Sequence, residues 1–178
     1  MIGGNMAESP YKIDIKIDDT GFERKLKSIQ NALKKKVRVG ILHAETYENG
    51  ATTADVASWN EIEGNGETVD VKAQETFNGG IPKRSVIKVP LKLYEKEIYE
   101  AGKDVIKKEG LSSQSIKNAL NAIGETARDA IIAAFDNRAD GIWAENKPST
   151  IKRKGSDKPM IDTGTLASNI EWEVVNGE

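Results

Sequence analysis

Cysteine is absent from the 178 residues of this chain, and histidine occurs once, as His43. The absence of cysteine excludes disulfide bonds, thiolate zinc sites and a thiol nucleophile. A single histidine also excludes a metal site built from several histidines of one chain. A histidine that acts as a general base needs an orienting partner or a substrate contact, and the sequence around His43 shows neither. We interpret His43 as a surface or strand-end residue, and we expect no metal and no cofactor.

Long apolar runs are missing too, since no stretch approaches the length of a membrane span. The first residues, MIGGNMAESP, lack the basic and apolar regions of a signal peptide. We therefore expect a protein made in the cytoplasm, neither exported nor bound to a membrane. The formal net charge of −2 at pH 7 does not favour nucleic-acid binding by the chain as a whole. The length suits a single domain with a hydrophobic core, over residues 11–178 behind a flexible tail of residues 1–10.

The first half of the chain mixes strand-like and helix-like patterns. Apolar residues at every second position from Tyr11 to Ile17 predict a half-buried strand. A capping-box pattern at Thr20 predicts a helix, whose apolar stripe is Phe22, Leu26, Ile29 and Leu33. A second strand is predicted from Val37 to near His43, and a short helix is predicted over 54–63. The irregular, glycine-flanked stretch 64–80 predicts an insertion, either a protruding hairpin or a mobile loop.

Two helical stripes dominate the second half. The first covers 91–105 and ends at Gly110, and the second covers 116–135 behind a serine cap at 112 or 113. We interpret them as an antiparallel hairpin packed on a sheet. Alternating apolar residues over 170–174 predict the last strand. The fold class that follows is α+β: a small mixed or antiparallel sheet with strands from both ends of the chain, packed by a long helical hairpin.

The stretch 150–166 reads TIKRKGSDKPMIDTGTL, and glycine and proline interrupt it repeatedly. That punctuation predicts an ordered loop rather than a helix or a central strand. Three interpretations of its basic triplet, Lys152 to Lys154, remain open. The triplet belongs to a solvent-exposed connecting loop, binds phosphate groups, or is part of a loop that docks against a neighbouring subunit.

Asp162-Thr163-Gly164 is the one group that suggests catalysis, as a nucleophile, a magnesium ligand or half of an aspartic protease dyad. A dyad needs two carboxylates that share a proton in an apolar setting. Here the aspartate follows a basic stretch and precedes a predicted helical turn over 165–169. The simpler role is a turn or N-cap carboxylate that accepts backbone N–H bonds. Glu61 and Glu63, two residues apart, point in different directions on a helix, which argues against a shared acid–base site. We expect no catalytic residue and no enzyme activity.

Five short segments occur along the chain in the same order as the motifs of one protein family. They are Val37-Arg38-Val39-Gly40-Ile41, Ala57-Ser58-Trp59-Asn60-Glu61, Ile81-Pro82-Lys83-Arg84, Trp143 with 144–149, and the stretch 150–166. In this order they resemble the neck or tail-completion proteins of tailed phages, also described as virion morphogenesis or head-tail joining proteins. The family pattern runs V-x-V-G-[IV], A-x-[WI]-[NH]-E-[FY]-G, I-P-x-R-P-F, Trp, T-I-x-R-K-G and P-L-I-D-T-G-x-L. The resemblance spans about Val37 to Trp172. This chain departs from it at Ser85-Val86, at Met160 and at Ile62-Glu63-Gly64.

The resemblance implies a structural virion protein. It would form a ring, generally six-fold in the family, between the head connector and the tail tube or tail terminator. A tail terminator or head-tail stopper of the same neck is the alternative within the class, and a nucleic-acid-binding module using residues 152–154 is the alternative outside it. Those basic residues would also contact DNA in the channel without reading its sequence. We interpret Trp59 as a core residue, and we expect the assembly interface at Ile81, Pro82, Arg84, Trp143, Lys152, Arg153, Lys154, Asp162, Thr163 and Leu166.

Overall fold

The computed structural model describes residues 20–61, 76–77 and 81–177. The predicted strand at Tyr11 to Ile17 and most of the predicted insertion at 64–80 lie outside the described residues. The helices are α1 (Thr20–Leu33), α2 (Thr53–Asn60), α3 (Lys88–Leu93), α4 (Glu95–Glu109), α5 (Ser113–Asn137), α6 (Pro148–Lys154) and α7 (Thr165–Ser168). The strands are β1 (Lys35–Ile41), β2 (Thr76–Phe77), β3 (Ile81–Pro82) and β4 (Ile170–Asn176).

The main sheet joins the two ends of the described chain. β1 pairs with β4 in antiparallel register, with Val39 opposite Trp172 and Ile41 opposite Ile170. These apolar pairs alternate with polar ones, such as Arg38 and Glu173, whose side chains form an ion pair at 3.2 Å. One face of the sheet packs against α5, as the period-two pattern predicts. The predicted α+β class is therefore confirmed.

A helical hairpin forms the other layer. Ser112 caps α5 through a reciprocal pair of hydrogen bonds with Ser115, and Gly110 ends α4, so the predicted hairpin is confirmed. Two glycines allow close packing: a Cβ at Gly102 would meet the Ile123 side chain, and one at Gly124 would overlap the Trp172 ring. The region before Gly110 is divided into α3 and α4 at Tyr94, whose hydroxyl donates to Asp140 at 2.9 Å.

The hydrophobic core lies between the C-terminal half of α5, the sheet and the connecting segments. Its largest fully buried side chains include Phe135, Ile131, Ile170 and Val86. Trp143 is 2% exposed and packs edge-on against Phe135, with ring centroids 5.5 Å apart. A turn with positive φ at Arg138, Ala139, Asp140 and Gly141 follows α5. It redirects the chain so that the Trp143 indole enters the core.

The burial expected of Trp59 is wrong, and the apolar stripe of α1 is exposed. Trp59 is not a core residue, since it is 54% exposed on the last turn of α2. The α1 helix forms as predicted, but its stripe is not buried: Phe22, Leu26 and Leu33 are exposed, and Ala32 alone is buried in α1. Periodicity predicts which residues share a face of a helix, while burial depends on what the fold brings to that face.

Candidate assembly surface

The carboxylate of Glu61 joins the end of α2 to the start of α3. It accepts hydrogen bonds from Ser85 Oγ at 2.5 Å, from the Ile87 backbone N–H at 2.7 Å and from the Lys88 backbone N–H at 3.2 Å. The N-cap residue of α3, Ile87, has no side chain that caps the helix. Glu61 therefore supplies the negative charge and the acceptors that the first turn of α3 needs.

The guanidinium of Arg84 joins the next two segments. Its Nε donates to the Ala144 carbonyl at 2.8 Å and one Nη donates to the Glu145 carbonyl at 3.1 Å. Close by, the Trp143 indole N–H donates to the Ser85 carbonyl at 3.0 Å. Burial lowers the pKa of Arg84, but an arginine remains charged under all ordinary conditions. These bonds fix the chain from Arg84 onward against the chain from Trp143 onward.

The basic triplet lies on a helix, so the prediction of a loop at this position is wrong. α6 begins with Pro148 in its first turn, and Gly155 ends it in the left-handed conformation at φ 73°. Proline and glycine are the usual residues at these two ends, so the punctuation marks the limits of a short helix. Lys152, Arg153 and Lys154 form its last turn, where positive charge favours the helix dipole.

The segment after α6 folds back over this helix. The Lys154 ammonium donates to the Lys158 carbonyl at 2.9 Å, and the Asn146 amide donates to the Asp157 carbonyl at 3.1 Å. Lys158 in turn pairs with Asp136 on α5. Burial lowers the pKa of Lys154, while the carboxylate of Asp162 opposes that shift and the charge of Arg84 adds to it.

The predicted helical turn after the loop is present as α7, but Asp162 does not cap it. Gly164 occupies the N-cap position with φ 84°, and Asp162 and Thr163 lie exposed before it. The Thr163 hydroxyl bonds instead with the Thr165 hydroxyl at 2.6 Å. The N-cap prediction for Asp162 is therefore wrong, because a glycine with positive φ makes the turn that the aspartate was expected to make.

Two open pockets flank Arg153. One, of about 420 Å³, lies between Arg84, the segment 144–147 and α6. The other, of about 540 Å³, lies between α2, the end of α6 and the segment 160–166; we call it the α2–α6 pocket. Arg153 lines both pockets, so its exposed side chain stands where the two meet.

The structure brings most of the predicted interface residues to one end of the molecule. Pro82 and Arg84 are half-buried there, and Ile81 pairs through its backbone with Phe77. Lys152, Arg153, Asp162 and Thr163 are exposed, and Lys154 is half-buried. Trp143 and Leu166 are buried core residues, so neither side chain is an exposed anchor in the folded chain. We call the surface formed by residues 82–84, 144–147 and 152–163 the motif face.

Sequence patterns missed three contributors to this region: Glu61, Ser85 and the exposed Trp59. Glu61 and Trp59 lie in one motif, A-S-W-N-E, and that motif was the only signal for either of them. The bonds of Glu61 reach residues that are 24 to 27 positions away, and no local pattern encodes such contacts.

Within the described ranges, no group of three or more acidic or histidine side chains is arranged to hold a metal ion. Among the helices of the same ranges, none has the length and apolar character that crossing a membrane requires. Comparisons of the chain with protein-family models, curated proteins and solved structures found no match.

Proposed function

We propose that this protein is a structural virion component of a tailed phage. It is a neck or tail-completion subunit that joins the head connector to the tail as part of a hexameric ring, and it acts without catalysis. The observation that carries this proposal is the convergence of the motif segments. Glu61, Arg84 and Trp143, each in a segment that resembles the family, are linked by hydrogen bonds through residues 84–88 and 144–145.

The chemistry of the motif face suits a docking surface better than a reaction centre. The Arg84 guanidinium donates to backbone carbonyls, and the Glu61 carboxylate accepts from two backbone N–H groups and the Ser85 hydroxyl, all within the same chain. Such bonds hold loops rigid before a partner arrives, and pre-organised surfaces lose less entropy on binding. Its partners are the connector or head-completion protein on one side and the tail tube or tail terminator protein on the other.

Trp59 is the residue we expect to anchor the contact between subunits. It is exposed on the last turn of α2, two residues before Glu61, and exposed tryptophan is enriched among residues that dominate interface energy. A closed ring needs two different surfaces of each subunit to match. Trp59 and the motif face together supply one of the two.

The test is the mass of the purified protein in solution, alone and with connector or tail-tube protein, measured by light scattering after gel filtration. We expect a discrete ring, or a monomer that joins a ring when the partner is added. Trp59→Ala should weaken assembly at least tenfold, because losing a hot-spot side chain costs about 2 kcal/mol or more. Tyr99→Ala is the matched control, since Tyr99 is an exposed aromatic residue on α4.

A wild-type monomer that ignores every neck partner contradicts the assembly role. If Tyr99→Ala disrupts the ring and Trp59→Ala does not, the interface lies on the α4 side. The partner on which the ring forms distinguishes the two alternative neck proteins, the tail terminator and the head-tail stopper. Assembly on the tail tube alone indicates a tail terminator, and assembly on the connector alone indicates a head-tail stopper.

Contact with DNA is the second candidate function, and the exposure of Lys152 and Arg153 on α6 favours it. Phosphate binding by such residues weakens steeply with salt, by about 0.9 in the log–log slope for each neutralised phosphate. We expect non-specific DNA binding to lose about two units of that slope when both residues become glutamine. An unchanged slope would rule out this contact.

A further inference from the structure

Helix α1 carries an apolar stripe that the described part of the chain leaves exposed at Phe22, Leu26 and Leu33. The helix packs against α5, and Ala32 is the one residue of α1 that is buried. A helix of this length draws most of its stability from packing of its apolar face rather than from helix propensity. The stripe of α1 therefore calls for a cover beyond what the described elements supply.

The sequence immediately before α1 has a matching pattern. Charged residues alternate there with apolar residues at every second position: Tyr11, Ile13, Ile15 and Ile17. This alternation predicts a strand with one apolar face. Asp18 and Asp19 alone separate it from Thr20, the first residue of α1. Connections of about two to six residues are usual between a strand and a helix that packs back against it.

The lengths of the two apolar rows agree. In a strand, seven residues from first to last span about 20 Å, with one face recurring at about every 6.6 Å. In α1, the rise of about 1.5 Å per residue places Leu33 about 17 Å beyond Phe22. A strand that turns back at Asp18 and Asp19 therefore runs the length of the stripe. Its apolar residues then lie level with those of the helix: Ile17 with Phe22, Ile15 with Leu26, and Tyr11 with Leu33.

We infer that residues 11–17 pack as a strand against the exposed stripe of α1 in the same chain. The strand runs antiparallel to α1, and the charged residues of its other face remain in solvent. Tyr11 reaches Leu33, which borders an apolar groove between α1, α4 and α5. The chain's own segment is favoured over a second copy, because a short connection holds it beside the stripe at an effective concentration of about a millimolar or more.

The chain has no cysteine, so a single introduced thiol reports its own burial. The experiment compares Ile15→Cys with Lys16→Cys, a neighbouring position on the charged face of the same strand, by the rate of alkylation with iodoacetamide. Each rate is divided by the rate of the same variant in concentrated urea, which corrects for intrinsic thiol reactivity. We expect the thiol of Ile15→Cys to react about tenfold more slowly or less, because alkylation requires the strand to open.

A second substitution tests whether α1 supplies the protection. Leu26→Asp, added to Ile15→Cys, should raise the alkylation rate by about tenfold, because a charge on the stripe opposes apolar packing. Asn31→Asp is the matched control, since it places the same side chain at an exposed position about 140° around the helix from Leu26. It should leave the protection intact. Far-UV circular dichroism checks that both variants keep their helices.

Equal corrected rates for Ile15→Cys and Lys16→Cys overturn the proposal, and this comparison needs no substitution in α1. Protection that survives Leu26→Asp overturns it too, since the segment would then pack on another surface. We expect protection that does not change when the protein is diluted. Protection that falls on dilution would assign the cover to a second copy of the chain, contrary to the proposal. The inference does not depend on the assembly role, so either can fail while the other holds.

Discussion

The two halves of α5 lie in different surroundings. Toward its C-terminal end, Ile131, Ala134 and Phe135 are enclosed by the sheet, Trp143 and Val86. Toward its N-terminal end, Leu120 and Ile123 border an open apolar groove of about 550 Å³, together with the exposed side chains of Leu33, Tyr99 and Leu111. The motif segments gather at the enclosed end. Several residues of the motifs therefore stabilise the fold, while much of the exposed apolar surface lies around the groove at the other end of α5.

Trp143→Ala should produce the largest loss of stability, because Trp143 is central to the enclosed end. The substitution removes the contact with Phe135 and leaves the Ser85 carbonyl without its indole donor. We expect the free energy of unfolding to fall by about 3–5 kcal/mol, measured by urea denaturation. Trp143→Phe, which keeps an aromatic ring, should cost less. Equal losses for the two variants would mean that the hydrogen bond matters more than the packing.

The same substitution, leucine to alanine, at one enclosed and one open position tests the contrast between the two ends of α5. Leu166 is 4% exposed in the core, and Leu111 is 66% exposed at the open end. Leu166→Ala should lower the free energy of unfolding by about 2–5 kcal/mol, and Leu111→Ala should change it by less than about 0.5 kcal/mol. Thermal or urea unfolding of both variants measures the difference. A large loss for Leu111→Ala would show that the groove is closed in solution.

Glu61→Gln should have an intermediate effect. A glutamine keeps the shape of the side chain but loses the charge that faces the first turn of α3, and its amide cannot accept the bonds from Ser85 and the two backbone N–H groups equally well. We expect a loss of about 1–3 kcal/mol in the free energy of unfolding. Glu145→Gln is the control, since Glu145 is an exposed residue paired with Arg138 and such pairs contribute about 0–1 kcal/mol.

The two close-packed glycines should respond differently to alanine. At Gly124 the added methyl group meets the rigid Trp172 ring, while at Gly102 it meets the Cδ1 and Cγ1 atoms of Ile123 and approaches the Ala119 carbonyl. Ile123 also lines the open groove. Gly124→Ala should therefore destabilise by about 1–3 kcal/mol through overpacking. Gly102→Ala should destabilise less, because Ile123 borders the open groove into which it can move, and the higher helix propensity of alanine, by about 1 kcal/mol, offsets part of the cost. If urea unfolding showed a larger loss of stability for Gly102→Ala than for Gly124→Ala, the packing around Gly102 would be the tighter of the two, contrary to this prediction.

Elements with a long, regular apolar repeat could be predicted from the sequence. The stripes of α5 and β4 extend over many residues, and the fold adds little to what their periodicity already requires. The helix α6 was not predicted because proline and glycine, which usually interrupt helices, lie at its two ends. Pro148 and Gly155 are breakers inside a helix but favourable at its ends, and a short helix consists largely of ends.

The candidate site was harder to predict, because burial and partnership are properties of the tertiary structure. Trp59 and Trp143 both lie in motifs, and nothing in their neighbouring residues distinguishes the exposed one from the buried one. The difference comes from the left-handed turn at 138–141, which directs Trp143 inward. The contacts of Glu61 and Arg84 likewise join segments distant in the chain, so only the folded structure reveals their roles.

The smallest effect we expect is a pH dependence at the surface of the sheet. The His43 Nδ1–H donates to the Glu171 carboxylate at 2.7 Å. This bond and the charge of Glu171 raise the pKa of His43 above its ordinary value, slight burial opposes the shift, and Glu173 adds to it. Arg128 lines the same surface hollow and pairs with Asp129.

Because the folded-state pKa is the higher one, the interaction stabilises the protein fully below the unfolded value of about 6.5. The stabilisation is lost as pH rises through the folded-state pKa. Urea unfolding of wild type and Glu171→Gln across pH 5.5 to 8.5 measures it, with the variant expected to lose this part of the pH dependence. Chemical-shift titration of His43, the only histidine in the chain, gives the folded-state pKa directly. A value of about 6.5 would show that the bond to Glu171 leaves no net pH dependence, and a value below it would reverse its sign.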